Sequence, residues 1–413
     1  MLKQLLNDTQ RIKFLALVFL FVLPLGGHFA NLILVLLSVD VIQFFIRQPH
    51  SIKKALTPIN AWLLLGFVLY LLGMLYTSDF KEGWFQVQQR TLFILLPILF
   101  AFQMNSWKAI REKMLTAFML GNFVAALFCW LRGFYVFSKG LYCEANVYGF
   151  PVYSDFSKCL HPTYASVYLV IAMGVLLIQH KKWPAWITFA GFAFLLLSLF
   201  VYSSKAALLA SMPVIVFLVL NRIAKAWRWR VGLLLILSFI ALFLFNPRVH
   251  KLQGMLKELF NKHKVDTTVS SDDSNDQRAM TWKTAWHLFK QSPWYGNGTG
   301  DSRNLSVAIY KEQKLDVLVE KQLNAHNQYL EEAVKFGIWG PIWLLTGLGM
   351  AIARGIKRRN KLLLVFVWLF SFNFLFESML QTQAGIFAFG ILLLILYNGP
   401  RPEAPSTFEP TNK

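Results

Sequence analysis

The residue in this chain best suited to chemistry is His326, with a scatter of cations around it. It sits in Asn324-Ala325-His326-Asn327-Gln328-Tyr329-Leu330-Glu331-Glu332, where a long polar stretch runs straight into an apolar one. A neutral imidazole, with an unperturbed pKa of about 6.5, can take a proton from an attacking hydroxyl at neutral pH. Arg278 lies upstream in the same polar stretch, and Lys205 follows Ser203 and Ser204 at the head of an apolar run. Arg90 comes after Gln86, Gln88 and Gln89, His161 precedes Pro162, and Glu377 separates two apolar runs. Each has a plainer reading. Arg90 and Lys205 suit side chains snorkelling to a membrane interface. His161 suits the cap of a helix begun by Pro162, Arg278 a solvated helix-start residue, and His326, between Asn324 and Asn327, the cap of the next helix. Together, three cations and two histidines on one membrane face suit a substrate whose diphosphate is held at the bilayer surface. There the cations would offset charge developing on a phosphate leaving group.

The elements that must position these groups are set by composition. The chain has 413 residues, 56% hydrophobic, 16% aromatic and only 15% charged, with a mean hydropathy of +0.47. A soluble domain carries about 25% charge, so the expected class is an all-α polytopic membrane protein. Runs long enough to cross a bilayer fall at roughly 12–26, 28–46, 58–76, 90–104, 114–136, 162–179, 184–202, 205–220, 231–246, 333–353, 362–376 and 383–398. That is about twelve transmembrane helices, the first two short enough to form a re-entrant pair instead. No small-residue cleavage site follows the first run, so no cleavable signal peptide is expected.

Lysine and arginine crowd alternate connections. One holds Arg222, Lys225, Arg228 and Arg230, and another Arg354, Lys357, Arg358, Arg359 and Lys361; the opposite side has isolated residues such as Lys81 and Arg132. The bias predicts cytoplasmic N- and C-termini and an outward-facing active site. The net charge of +20 fits cytoplasmic anchoring, with some left for anionic lipid or substrate, and needs no nucleic acid. The expected division is an N-terminal transmembrane bundle over 1–246, a helical outer loop domain over 247–330, C-terminal transmembrane helices over 331–400 and a cytoplasmic tail over 401–413.

Within the loop, Asp272, Asp273 and Asp276 are candidate ligands for a divalent cation, but their spacing matches no standard calcium loop and a solvated stretch is the simpler expectation. Arg278 to Gln291 reads as an amphipathic helix along the membrane surface, with Trp282, Ala285, Trp286 and Phe289 on its buried face. Pro293-Trp294-Tyr295-Gly296-Asn297-Gly298-Thr299-Gly300 lacks the Gly-Lys-Ser/Thr ending of a phosphate loop and reads as a turn. Cys143 and Cys159 share one outer loop, where an oxidising compartment permits a disulfide; Cys129 lies in a membrane run.

The run from His326 to Gly340 resembles the His-Asn-x-Tyr-Leu-Glu…Gly-x-x-Gly signature of the O-antigen ligase and polymerase superfamily. Arg278-Ala-Met-Thr-Trp282 followed by Pro293 to Gly300 is similar to that family's Arg-x-x-x-Trp…Pro-x-x-Gly-x-Gly stretch. Tyr202-Ser203-Ser204-Lys205 stands where the family has Ser-Arg-Gly/Ala, and Phe376-Glu377-Ser378 resembles its Glu-Ser. The likeness covers roughly residues 190–395, the N-terminal third matching mainly in topology. It implies a glycosyltransferase of the bacterial inner membrane, active on the periplasmic face. Such an enzyme moves an undecaprenyl-diphosphate-linked glycan to a sugar hydroxyl, in the ligases one on lipid A-core. It uses no nucleotide sugar, ATP or redox cofactor, and in the ligases no metal. Carried over, His326 is the base or orienting group for the acceptor hydroxyl, and Arg278 and Lys205 grip the diphosphate. Arg90, His161, Asn327, Tyr329 and Glu377 are the further substrate-binding candidates. Lys205 departs from the usual arginine, keeping the charge but losing the planar fork. A polymerase or a protein O-oligosaccharyltransferase would use the same chemistry on another acceptor. A transporter or flippase would call for internal repeats and broken helices near the midplane, and neither is evident.

Overall fold

The computed structural model describes residues 2–47, 57–102, 104–144, 146–221, 224–245 and 274–399. The described residues are nearly all helical, with few strands. The first helices are α1 (Leu2–Val22), α2 (Gly27–Arg47), α3 (Pro58–Gly73), α4 (Phe80–Arg90), α5 (Leu92–Phe102) and α6 (Met104–Ser138). A two-residue antiparallel ribbon, β1 (Asn146–Val147) with β2 (Phe150–Pro151), interrupts the loop that follows. Then come α7 (Pro162–Ile178), α8 (Ala185–Tyr202), α9 (Lys205–Leu220) and α10 (Arg228–Phe245). After the undescribed stretch, α11 (Ser274–Gln291), α12 (Ser302–Glu312), α13 (Asp316–Lys321) and α14 (Gln328–Phe336) lead into α15 (Trp339–Arg358), α16 (Lys361–Asn373) and α17 (Gln383–Tyr397).

Short polar residues start many of these helices. Thr57, Asp79, Asn327, Asn360 and Thr382 each accept a backbone N–H from the first turn they cap, satisfying donors that the helix itself leaves open. Helices apolar all round sit at the centre. α7 is buried from Pro162 through Leu176, packed by α6, α8, α9 and α16, and α17 is buried from Gly385 through Leu396. A bidentate pair from Arg11 to Asp40, at 2.6 and 2.7 Å, ties α1 to α2. Trp62 on α3 and Trp343 on α15 stack 4.9 Å apart, and each indole N–H donates to the other's backbone carbonyl, at 2.6 and 3.0 Å.

The apolar stretches expected as spans fall on helices, with one difference. The stretch 333–353 is two helices, because Gly337 adopts φ +60° between α14 and α15. A Cβ there would overlap the backbone of Trp294, so the break is built into the contact. By length and composition two described helices can cross a bilayer, Ala109–Ser138 within α6 and α8. The other apolar helices, such as Pro58–Gly73 and Pro162–Ile178, are shorter.

The amphipathic helix is present as α11, but its packed face differs from the expected aromatic one. Thr281, Thr284, Ala285 and Leu288 are buried, and Trp286 is exposed. Ala285 and Leu288 cluster with Ala325 and Val334 around α14, so the small side chains sit where two helices approach closely and the bulky Trp286 is turned outward. Asp272 and Asp273 lie outside the described residues, as does the side chain of Asp276. Cys143 and Cys159 are both free thiols. The neighbour of the Cys159 thiol is that of Cys129.

Candidate active site

His326 sits in a turn whose backbone is held at almost every step. The His326 N–H donates to Asn324 Oδ1 at 2.9 Å, and the Ala325 N–H donates to Glu331 Oε2 at 3.3 Å. The next two N–H groups, of Asn327 and Gln328, reach across to the segment after α16, donating to Ser378 Oγ at 3.1 Å and to the Phe374 carbonyl at 2.7 Å. In return Gln328 Oε1 accepts the Leu380 N–H at 2.6 Å. His326 itself has φ +43°, a left-handed conformation that costs a residue with a Cβ and persists where its surroundings over-determine it. The strained residue and the most chemically capable one are the same.

That zipper brings Glu377 to the imidazole. His326 Nδ1 lies 3.2 Å from Glu377 Oε1, with side chains 26% and 14% exposed, so the pair is sheltered but reachable. With Nδ1–H donating to the carboxylate, Nε2 is left as the acceptor. His161 and Arg278 share the same field. Burial pushes the Glu377 carboxyl up, but the hydrogen bond from His326 and positive charge on His326, His161 and Arg278 outweigh it, holding the carboxyl below its ordinary value. Burial likewise pulls His161 below its ordinary value; Glu377 opposes this, and His326 and Arg278 add to it.

His161 stands before Pro162 at the head of α7, as expected, but makes no side-chain cap bond. It is instead framed by the rings of Tyr153 and Tyr164, 6.0 and 5.8 Å away. Two residues on, Thr163 Oγ1 lies 3.1 Å from Ser204 Oγ, joining the head of α7 to that of α9. This contact places Lys205, the first residue of α9, beside the His161 end of the site.

The remaining candidates lie differently. Asn327, not His326, caps α14, accepting the Leu330 N–H at 3.1 Å. The Tyr329 hydroxyl donates to the Ser371 carbonyl at 3.1 Å, anchoring α14 to α16. Arg90 is fully buried. Its guanidinium donates to the Tyr70 hydroxyl at 3.0 Å, the Leu380 carbonyl at 2.7 Å and Gln89 Oε1 at 3.1 Å, and it lies 4.3 Å over the Tyr70 ring. It is neither snorkelling nor presented to a surface. Beside it, Lys335 Nζ donates to Gln86 Oε1 at 2.6 Å and Gln381 Oε1 at 2.7 Å and pairs with Glu331 at 3.1 Å. The Tyr70 hydroxyl donates to Glu332 at 2.7 Å.

The Gly-rich turn offers no phosphate cradle. The N–H groups of Asn297 and Gly298 donate to the Val334 and Lys335 carbonyls, that of Thr299 to Gly73, and that of Gly300 to Thr77 Oγ1. It caps the C-terminal end of α14 instead. Sequence reasoning singled out neither Glu331, which holds both the Ala325 N–H and Lys335, nor Tyr153, and named Ser378 only as part of the Glu-Ser resemblance. Glu331 and Lys335 stand at the i, i+4 spacing of a helical ion pair, a signal that was available. Tyr153 carries no local signal of its own.

Residues 190–345 match the family model described as O-antigen ligase. That match supports placing this stretch in the O-antigen ligase superfamily. The match covers Lys205, Arg278 and His326 of the O-antigen ligase signature, whereas His161 and Glu377 lie outside it and join the site through geometry. The superfamily is one of bacterial membrane proteins that act on polysaccharide and lipid-linked substrates. No curated protein matches the chain.

Proposed function

We propose that the protein is an O-antigen ligase-type glycosyltransferase, moving a glycan from undecaprenyl diphosphate to a sugar hydroxyl of lipid A-core at the periplasmic face of the inner membrane. The observation that carries this is the His326–Glu377 pair, half sheltered and set in one field with His161 and Arg278. In the proposed step the acceptor oxygen attacks the anomeric carbon and gives its proton to His326 Nε2. The bond from that carbon to the diphosphate breaks, and undecaprenyl diphosphate leaves with the bonding electrons. Glu377 holds the imidazole in the tautomer that leaves Nε2 free and stabilises the imidazolium that forms. Arg278 and Lys205 offset charge gathering on the leaving diphosphate. A single displacement inverts the anomeric configuration.

This reading takes the apolar helices as about twelve crossings with both termini cytoplasmic, which puts the heads of α7 and α9 and the α14 turn on one outer face. It keeps the division at 246, 330 and 400, the outer loop region supplying Arg278 and His326. The deciding experiment uses purified protein, extracted undecaprenyl-diphosphate glycan and lipid A-core, comparing wild type with His326→Ala. Transfer lost in a folded variant supports the ligase reading. Growth of the glycan on its own carrier, without lipid A-core, makes the protein a polymerase. No turnover with either rejects the proposal.

A further inference from the structure

At the other end of α14 from His326 there is an open cleft of 820 Å³, set between the α3–α4 turn, the Gly-rich turn and α12. Its size is that of a ligand site, about 300–1,000 Å³, and its walls are locked by hydrogen bonds among themselves. Asp301 accepts the N–H groups of Ser78 and Asp79 at 2.7 and 2.6 Å. The Asp79 carboxylate in turn accepts the Glu82 N–H at 2.9 Å and the Asn304 side-chain amide at 2.7 Å. The Tyr76 hydroxyl donates to the Tyr295 carbonyl at 2.7 Å, and Asn297 Nδ2 to that of Val334 at 2.9 Å.

These bonds use the donor halves of Asn297 and Asn304 and fix which way the amide oxygens face. Ser78 and Lys81 add a hydroxyl and an ammonium to the lining, and Tyr76 and Phe80 add ring surface. Both carboxylates are already engaged by N–H donors within the protein. The lining is thus a mixture of carboxamide, hydroxyl and aromatic edge, with the one ammonium of Lys81 set against the carboxylates of Asp79 and Asp301. A pyranose, with hydroxyls around its rim and apolar C–H faces, matches such a mixture better than an anion or an acyl chain does.

We infer that this cleft is a glycan-binding subsite that holds sugar residues remote from the reacting anomeric carbon. The inference rests on the glycosyltransferase reading of His326. α14, 9 residues long, separates the two places by about 13 Å along its axis at 1.5 Å per residue, a distance that a few sugar residues span. A subsite that grips these sugars equally before and during reaction sets affinity and leaves turnover unchanged.

The test uses full-length protein in detergent and soluble oligosaccharide released by mild acid from the extracted lipid-linked glycan. Titration calorimetry measures binding directly, and Asn304→Trp fills the cleft from an exposed position. The expected result is binding to wild type, weakened about tenfold or more in Asn304→Trp and retained in His326→Ala. In the transfer assay the same variant raises KM for the full-length glycan by a similar factor with kcat unchanged, and leaves KM for a single-sugar diphosphate donor alone. A KM rise on lipid A-core instead assigns the cleft to the acceptor's sugars. Equal oligosaccharide binding by wild type and Asn304→Trp overturns the inference, as does wild type that binds none. So does a variant that loses co-purifying phospholipid while still binding oligosaccharide, which marks a headgroup site. Wild type that binds oligosaccharide but transfers to no acceptor retains the cleft and rejects the catalytic reading.

Discussion

The two ends of α14 carry the same kinds of residue and put them to opposite uses. At the N-terminal end His326 and Glu377 are partly exposed and share a field with Arg278, the histidine on a strained backbone. At the C-terminal end Arg90, Lys335, Glu331 and Glu332 are shut away from solvent, each held by several partners. Burial pushes the Glu332 carboxyl up, whereas at Glu331 burial is outweighed by the Lys335 charge together with hydrogen bonds from Lys335, Ser302 and the Ala325 N–H, and the carboxyl is held down. A charge type therefore does not identify a substrate contact here; what matters is whether its hydrogen bonds are already committed within the protein. The buried end acts as a foundation, since Glu331 links Lys335 directly to the backbone of the His326 turn.

The comparison breaks if the two ends respond alike to mutation. His326→Ala is expected to lower transfer by about 10²- to 10⁴-fold, the contribution of a general base. Its thermal midpoint in detergent should match wild type, because the residue is strained and partly exposed. Lys335→Met is expected to do the reverse. Stranding Glu331 costs about 3–5 kcal/mol, visible as early melting and loss of the monodisperse peak; a stable Lys335→Met protein would refute a structural role. Glu377→Gln removes one charge-assisted hydrogen bond of about 1.5–3 kcal/mol, so turnover should fall about ten- to a hundredfold with little change in donor KM. A larger change in KM than in kcat would move Glu377 from orienting His326 to binding substrate.

The smallest effect concerns pH. The buried His161 resists protonation, whereas its unfolded counterpart takes a proton near pH 6.5. Stability should therefore decline as pH falls below about 6.5, until the folded site also protonates. His161→Gln removes that part of the slope, measured as melting midpoint against pH; Glu377, whose carboxyl is held down, adds its own loss only at lower pH.

Much of the helical layout was legible from hydrophobic runs, because a helix buried on all sides, such as α7 or α17, leaves an uninterrupted apolar record. The break at Gly337 was not, since it depends on the approach of Trp294 from a distant turn. The closeness of His326 and Arg278 to each other was legible only through their family signature. That Glu377 reaches the imidazole depends on cross-chain hydrogen bonds, Asn327 to Ser378 and Gln328 to Leu380, and His161 comes with the head of α7; neither arrangement leaves a local pattern. Arg90 misled because a cation at the outer end of an apolar run looks the same whether it points out or in. The aromatic stripe of α11 misled similarly: helices that pack closely bury alanine and threonine, and hydrophobicity alone ranks tryptophan above both.

The reciprocal clasp of Trp62 and Trp343 has a consequence for biosynthesis. The two indoles are 281 positions apart, and at roughly 5–20 residues per second the second is made about 15–60 s after the first. Through that interval α3 stands with its stacking partner unmade and the Trp62 indole N–H without its final acceptor. An insertase or chaperone that shields half-made membrane proteins would find its longest-lived client surface on this helix, and depleting such a factor should leave the N-terminal helices degraded before α15 arrives.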